Sequence, residues 1–405
     1  MREENILKEK LKEIDLVIKD HYNESTDIGV LSGISGIALF QFYYAKYTGE
    51  EIHADLGAAM LSEVIEKINE GYSFPTFCAG IAGGAWAIEH ATEEGFIDVD
   101  CDALLSDLDD FLMENVTLTV NENFFDFLHG IQGIGFYFLK RYQNTKSDGL
   151  REKYKRNILH IVERLASASI PHGDTVKWES YLSREEDLKG FNIGLSHGMS
   201  SIVNFLSRLV SYNDFKAETE SLLKKAVNFI ISIEYNNAQQ VSCFPDWITS
   251  NNEKSDSCRL GWCYGDLGIA LSLWRAGQVL EDTSICDKAI LVMKKACKRT
   301  TTEETRINDA GLCHGSYGVM HIFNYMYKET GDDIFKEASE YWMQESLAMA
   351  VHDNGHAGYM QWRGGEDAGW RNEINLLEGV SGIGLAILSY LAPFETKWDE
   401  CLLIG

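Results

Sequence analysis

Only 4 prolines occur in 405 residues, and a chain so poor in the residue that breaks helix interiors is free to form long helices. Positive charge is also scarce: 36 Lys and Arg stand against 62 Asp and Glu, a net charge of −26. Phosphate recognition needs a basic face, so a nucleic-acid ligand is not expected. A cationic peptide partner suits an acidic surface through long-range steering, although acidity also serves plain solubility. No apolar run approaches the roughly 18 residues of a membrane span. The first segment, MREENILKEKLKEIDLVIKD, lacks the apolar core of a signal peptide. The 9 cysteines are odd in number and scattered, which argues against a disulfide framework. A reducing cytoplasm is the expected setting, where functional cysteines serve as ligands or nucleophiles.

What the chain does have is apolar residue for a sizeable core, 45%, and 35 glycines. Seven short segments resemble one another: LSGISGI, CAGIAGG, LHGIQGIG, LSHGMSS, WCYGDLGI, LCHGSYGV and LEGVSGIG. Their lead glycines are Gly33, Gly80, Gly130, Gly198, Gly265, Gly315 and Gly379, at intervals of 47, 50, 68, 67, 50 and 64 residues. A recurring period of this size marks repeat architecture and overrides a multi-domain reading based on length. Between the motifs, Leu7, Leu11, Ile14 and Ile18 fall at helical spacing, as do Leu104, Leu108, Phe111 and Leu112, and Leu223, Val227 and Ile230. After the motifs, the stretches beginning at Gly36 and Gly133 are apolar nearly all round, as a helix buried on most sides should be.

Each repeat therefore reads as an outer amphipathic helix, a glycine turn and an inner buried helix. The expected fold is all-α: a closed α/α toroid of seven hairpins, seven inner and seven outer helices, formed by residues 1–405 as a single domain. A closed ring is preferred to an open solenoid because no polar capping repeat is visible at the end of the seventh motif. Three intervals are longer by about fifteen residues, and the extra length lies in 166–192, 235–260 and 351–376. Each precedes a motif directly, so all three loops are expected on the active-site face.

Two motifs carry metal-ligand residue types: Cys263 in one, and the pair Cys313 and His314 in the next. On equivalent turns of successive repeats, 50 residues of sequence become proximity in space. Two thiolates and one imidazole suit zinc, and three protein ligands leave a fourth position open, as in catalytic sites. Buried structural cysteines and a core histidine are the alternative. Proton-transfer candidates are His197, one residue before Gly198, and Asp126, four before Gly130. Arg259, four residues before Cys263, is placed to stabilise a developing oxyanion. His129 and Glu378 occupy similar positions and are read as structural.

With Trp-Cys-Tyr-Gly at Trp262, Cys-His-Gly at Cys313 and Gly-Leu-Ser-His-Gly at Gly194, the chain resembles the lanthionine synthetase C-like family over nearly its whole length. These are the cyclases of class I lanthipeptide biosynthesis. The resemblance implies the toroid, a Zn2+ ion held by Cys263, Cys313 and His314, and a dehydrated precursor peptide as substrate. It implies addition of peptide cysteine thiols to dehydroalanine or dehydrobutyrine, giving lanthionine and methyllanthionine rings. His197 and Asp126 would then handle the proton, with His197 or a water as its donor, and Arg259 would face the enolate. A lanthipeptide dehydratase and transporter complex are the candidate partners, placing a cytoplasmic protein at the periphery of a membrane-associated assembly. The alternative is a non-catalytic zinc scaffold that binds a peptide or a thiol such as glutathione. A protein prenyltransferase subunit, another helical-ring zinc enzyme, would need an Asp, Cys and His set at a spacing not found here. Two departures from the family pattern are Leu267, where proline is common, and Ser201 in place of the second glycine of the fourth motif.

Overall fold

A computed structural model describes residues 2–119, 125–183, 185–237, 239–365 and 367–405, so positions 184, 238 and 366 of the three long loops lie outside the described residues. Its helices are α1 (Arg2–His21), α2 (Ile34–Thr48), α3 (Glu51–Asn69), α4 (Ile81–Glu93), α5 (Cys101–Leu104), α6 (Ser106–Thr119), α7 (Ile131–Asn144) and α8 (Asp148–Ala168). They continue with α9 (Met199–Val210), α10 (Asn213–Ser232), α11 (Asp266–Val279), α12 (Thr283–Ala296), α13 (Thr302–Thr305), α14 (Ser316–Thr330), α15 (Asp333–Ala348) and α16 (Val380–Leu391). None among the described residues is long and apolar enough to cross a membrane.

The chain forms two compact units, one from 1–108 with 307–405 and the other from 109–306. Helical hairpins build both. In the first unit α2 packs on α3 and α14 on α15; in the second α7 packs on α8, α9 on α10 and α11 on α12. The seventh motif's helix, α16, packs on α1 and α2, so the last glycine repeat lies against the first.

Every lead glycine is the N-cap of a helix: Gly33 of α2, Gly80 of α4, Gly130 of α7, Gly198 of α9, Gly265 of α11, Gly315 of α14 and Gly379 of α16. All but Gly265 are extended, so the left-handed region does not explain their presence. Crowding does. A Cβ at Gly33, Gly80, Gly198, Gly315 or Gly379 would run into the backbone of the preceding turn. The second glycine of the motif is as tight: at Gly36, Gly83, Gly268, Gly318 and Gly382 a Cβ would strike the carbonyl six residues earlier. Ser201 stands at this place in the fourth repeat, its hydroxyl donating to the Gly198 carbonyl at 2.7 Å.

Backbone hydrogen bonds then join turn to turn through one position, two residues before the lead glycine. In the first unit the Leu31 and Ser32 amides donate to the Cys78 carbonyl, Leu377 to Leu31, and Leu312 and Cys313 to Leu377. In the second, Phe127 donates to Ser196, and Leu195 and Ser196 donate to Cys263. The turns therefore run six, seven, one, two in one unit and three, four, five in the other.

The expected buried faces hold for α1, where Leu7, Leu11, Ile14 and Ile18 are wholly buried, and for Leu223, Val227 and Ile230 in α10. The third face needs correction. Leu104 is 39% exposed, while Leu105, Asp109, Leu112 and Val116 are buried. A buried aspartate hid the true stripe from a count of apolar residues. Asp109 accepts from the hydroxyls of Tyr137 and Tyr154 at 2.7 Å each and lies 3.5 Å from Arg141, which supplies the partners that a buried charge requires.

The fold is mainly helical, but the long loops carry strands that an all-α expectation omits. Strands β1 (Ile170–His172) and β2 (Thr175–Lys177) form a small hairpin. Strands β3 (Ser180–Ser183), β4 (Leu188–Asn192) and β5 (Trp247–Thr249) form an antiparallel sheet that ties loop 166–192 to loop 235–260. Strands β6 (Gln361–Arg363) and β7 (Gly369–Arg371) pair Trp362 with Trp370 in loop 351–376. Strands of three to five residues are too short to show an alternation in sequence.

Replacing Gly83 by alanine drives a methyl group into the Phe77 carbonyl and against the Val30 amide 2.7 Å away. It should cost about 1–3 kcal/mol, seen as a lower urea midpoint. Gly364→Ala, with nothing within 4 Å of the added carbon, should leave the midpoint unchanged.

Candidate metal and proton-transfer site

The second unit assembles a set of polar side chains at the mouths of α7, α9 and α11. The residue immediately before each lead glycine there is His129, His197 or Tyr264. The His129 and His197 rings lie 5.8 Å apart, and those of His197 and Tyr264 lie 6.2 Å apart. Asp126, from the same turn as His129, places Oδ2 3.4 Å from His197 Nδ1. Its other oxygen accepts the amides of His129 at 2.6 Å and Gly130 at 3.2 Å, which fixes the carboxylate in place. Asp126 and His197 are therefore brought together.

Electrostatics follows from this pairing. Burial works to raise the pKa of Asp126, but the hydrogen bond and charge of His197 and the His129 amide outweigh it and hold it below the usual value. For His197, burial works downward, while the hydrogen bond and charge of Asp126, and then Cys263, raise its pKa overall. A raised pKa leaves more imidazolium at neutral pH, the form a proton donor needs.

Cys263 is held on the next turn. Its carbonyl accepts from the Leu195 amide at 2.9 Å, the Ser196 amide at 3.2 Å and the Ser196 hydroxyl at 3.2 Å. Cys258, five residues earlier, differs in kind. It is fully enclosed, its sulfur accepts from the Asp266 amide at 3.2 Å, and burial pushes its thiol well above the ordinary range. Asp266 also accepts the amides of Cys243 and Phe244, pinning loop 235–260 to the start of α11.

Arg259 is half-buried in the segment leading into this turn. Gly265 has φ +104° and its Cβ would collide with the Arg259 carbonyl, so glycine alone allows the chain to fold back there. Burial pushes Asp246 up to about 6, against the pull of Arg259 and Arg306. Burial also pushes Tyr264 up to about 12, although Asn192 donates to its hydroxyl at 3.0 Å. Asp246 and Tyr264 were not singled out from sequence. Tyr264 had a signal, its place before the lead glycine; Asp246 lies in an irregular loop and had none.

Cys313 and His314 lie in the first unit, on the sixth turn. Cys313 is buried and its amide donates to the Leu377 carbonyl at 2.9 Å. His314 is partly open, with Nε2 3.9 Å from Asp309 Oδ2. Asp309 is itself braced by the amides of Gly311 at 3.1 Å and Trp362 at 3.0 Å. Glu378, on the seventh turn, is raised by burial despite the opposing charge of His314.

The lanthionine synthetase C-like protein family profile matches residues 24–403, and the chain belongs to this family. It is 23% identical to the nisin biosynthesis protein NisC of Lactococcus lactis subsp. lactis over 407 residues, covering 94% of this chain and 90% of that protein. Among solved structures, nisin cyclase superposes with a TM-score of 0.77 at 20% identity, covering 99% of this chain and 98% of the other. A cellobiose 2-epimerase from Bacillus thermoamylovorans B4167 is similar in fold alone, with a TM-score of 0.50 at 9% identity over 96% of this chain and 100% of that one.

Asp126→Asn keeps an oxygen acceptor for the two amides but removes the charge beside His197. The His197 pKa should fall, read from its ring carbon signal in an NMR titration of 13C-histidine protein; an unchanged pKa would remove Asp126 as the cause of the upward shift.

Proposed function

We propose that the protein is a zinc-dependent lanthipeptide cyclase, closing lanthionine and methyllanthionine rings by adding cysteine thiols of a dehydrated precursor peptide to dehydroalanine or dehydrobutyrine. The observation that carries this reading is the Asp126–His197 pair beside the Cys263 turn, in a chain of the lanthionine synthetase C-like family. A zinc scaffold that only bound a peptide or glutathione would have no use for an imidazole whose proton affinity is raised by a dedicated carboxylate.

Cys263, Cys313 and His314 would hold the zinc. Two sulfurs and one nitrogen are the donor set zinc favours, and three ligands leave a coordination position open. Zinc held there would supply Lewis acidity that lowers the pKa of a substrate thiol, whose proton would leave to solvent. The chain's own residues complete the reaction. Attack of the thiolate on the β-carbon forms the C–S bond and moves the π electrons onto the carbonyl as an enolate. Arg259 stabilises that negative charge. His197 then delivers a proton to the α-carbon, while Asp126 holds its ring and favours the protonated form. Tyr264 flanks His197, its hydroxyl engaged by Asn192.

In this reading residues 1–405 form one closed α/α toroid, with loops 166–192, 235–260 and 351–376 on the active-site face. The packing of α16 on α1 and α2 supports ring closure, because the first and last repeats of an open solenoid would not meet. Cytoplasmic work beside a lanthipeptide dehydratase and transporter complex fits the same assignment.

Incubation with a dehydrated precursor, thiol alkylation and mass spectrometry test the proposal, since cyclised cysteines no longer alkylate. His197→Asn should slow ring closure by roughly 10²–10⁴-fold with metal content unchanged; wild-type rates in that variant would overturn its role. Cys313→Ala should lose the zinc of this site and the activity together. As an acid, His197 must be protonated, so the rate should fall as pH rises through its raised pKa, and Asp126→Asn should move that limb to lower pH.

A further inference from the structure

A second set of metal-ligand side chains gathers in the first unit, at the end of α4 far from its glycine turn. His90 and Glu93 are three residues apart on α4 and share a face. Glu400 reaches them from the short 3-10 turn Trp398–Leu402. One donor atom from each lies within 4.8 Å of the other two. A helix of 13 residues is roughly 20 Å long, so this place is remote from the motif-two turn at Gly80.

The histidine is pre-set. Trp86 stacks on its ring with centroids 4.9 Å and planes 11° apart. The Tyr43 hydroxyl lies 3.0 Å from Nε2 and accepts the Lys397 amide at 3.1 Å. With Nε2 engaged there, Nδ1 is the nitrogen turned toward Glu400, whose Oε2 is 4.0 Å away. The His90 side chain is 1% exposed and that of Glu400 is 19% exposed, while Glu93 is exposed, so a ligand here would be held from the buried side and reached from solvent.

The C-terminal end of α4 favours a cation. Glu89 and Glu93 lie near the C-terminus of α4 and Glu94 is its C-cap, at the negative end of the helix dipole, where carboxylates are disfavoured. Lys46 and Lys397 serve Glu94, at 3.7 and 3.1 Å. Glu93, which also feels the charge of Lys397, and Glu400 bring two carboxylates beside one imidazole.

We propose that His90, Glu93 and Glu400 bind a divalent cation of the zinc type, with one nitrogen and two carboxylate donors. Its role is structural: it fastens the turn Trp398–Leu402 to α4. That turn is already docked through Trp398 Nε1 donating to Ser389 Oγ at 2.8 Å and through Asp399 on His321 at 2.8 Å. A metal would add a link of α4 to the same segment.

The test is zinc stoichiometry after chelation and reloading with Zn2+ alone, by elemental analysis of the full chain. Wild type should hold two equivalents, Cys313→Ala one, the double variant Glu93→Gln/Glu400→Gln one, and the combination none. Zn2+ should also raise the melting midpoint of Cys313→Ala and leave that of the combined variant unmoved. The two glutamines are near-isosteric, and circular dichroism checks that the double variant folds. Zinc uptake by the double variant equal to wild type, or a Cys313→Ala protein that binds none, would overturn the site. One equivalent in wild type that survives Cys313→Ala and vanishes in the double variant would instead remove the catalytic zinc and leave this one.

Discussion

The feature on which the rest depends is a backbone hydrogen bond at one repeated position. Two residues before the lead glycine, a carbonyl accepts one or two amides from the neighbouring turn, and the next helix starts from the glycine itself. The glycines exist to let the turns approach this closely, since a methyl group at most of them would meet backbone atoms. This lattice sets the register of the side chains. Position two carries Cys263 and Cys313, and position one carries His129, His197, Tyr264, His314 and Glu378. These side chains are therefore mounted on rigid, hydrogen-bonded turns at helix starts, which limits how far any one of them can wander.

Much of this was legible in the sequence because repeats make position meaningful. Equivalence of turns singled out Cys263, Cys313, His314 and His197, and the Asp126–His197 contact followed the same logic. The helices were legible where every buried residue is apolar, as in α1. They were misread at α6, where Asp109 occupies the core side and only its partners, Tyr137, Tyr154 and Arg141, make that tolerable. Those partners are 28 to 45 residues away in sequence. The strands of the long loops and the setting of Asp246 were hidden for a related reason. They are created by pairing between distant segments, as when β4 meets β5, and leave no local pattern.

The second unit shows how a site tunes itself through shared neighbours. Asp126 lowers its own proton affinity and raises that of His197 through one contact. Asp246 and Tyr264 are pushed the other way by burial, so that a carboxyl and a phenol close to the same turn hold their protons more tightly. One small region thus contains groups whose proton affinities are spread apart by environment, the condition under which acid and base roles can be divided.

The pairing of α16 with α1 has a temporal side. Residues 109–306 form a contiguous unit that can collapse as soon as it has left the ribosome. The other unit is made from the two ends of the chain, and α1 finds its partner only when the last repeat has been synthesised. Its closure is a long-range, high-contact-order event, which is slow compared with folding of neighbouring hairpins. Until then the apolar stripe of Leu7, Leu11, Ile14 and Ile18 has no seventh-repeat helix to cover it. The acidic excess carried by the whole chain offers that waiting intermediate some protection, because like-charged nascent chains repel one another before they can stick.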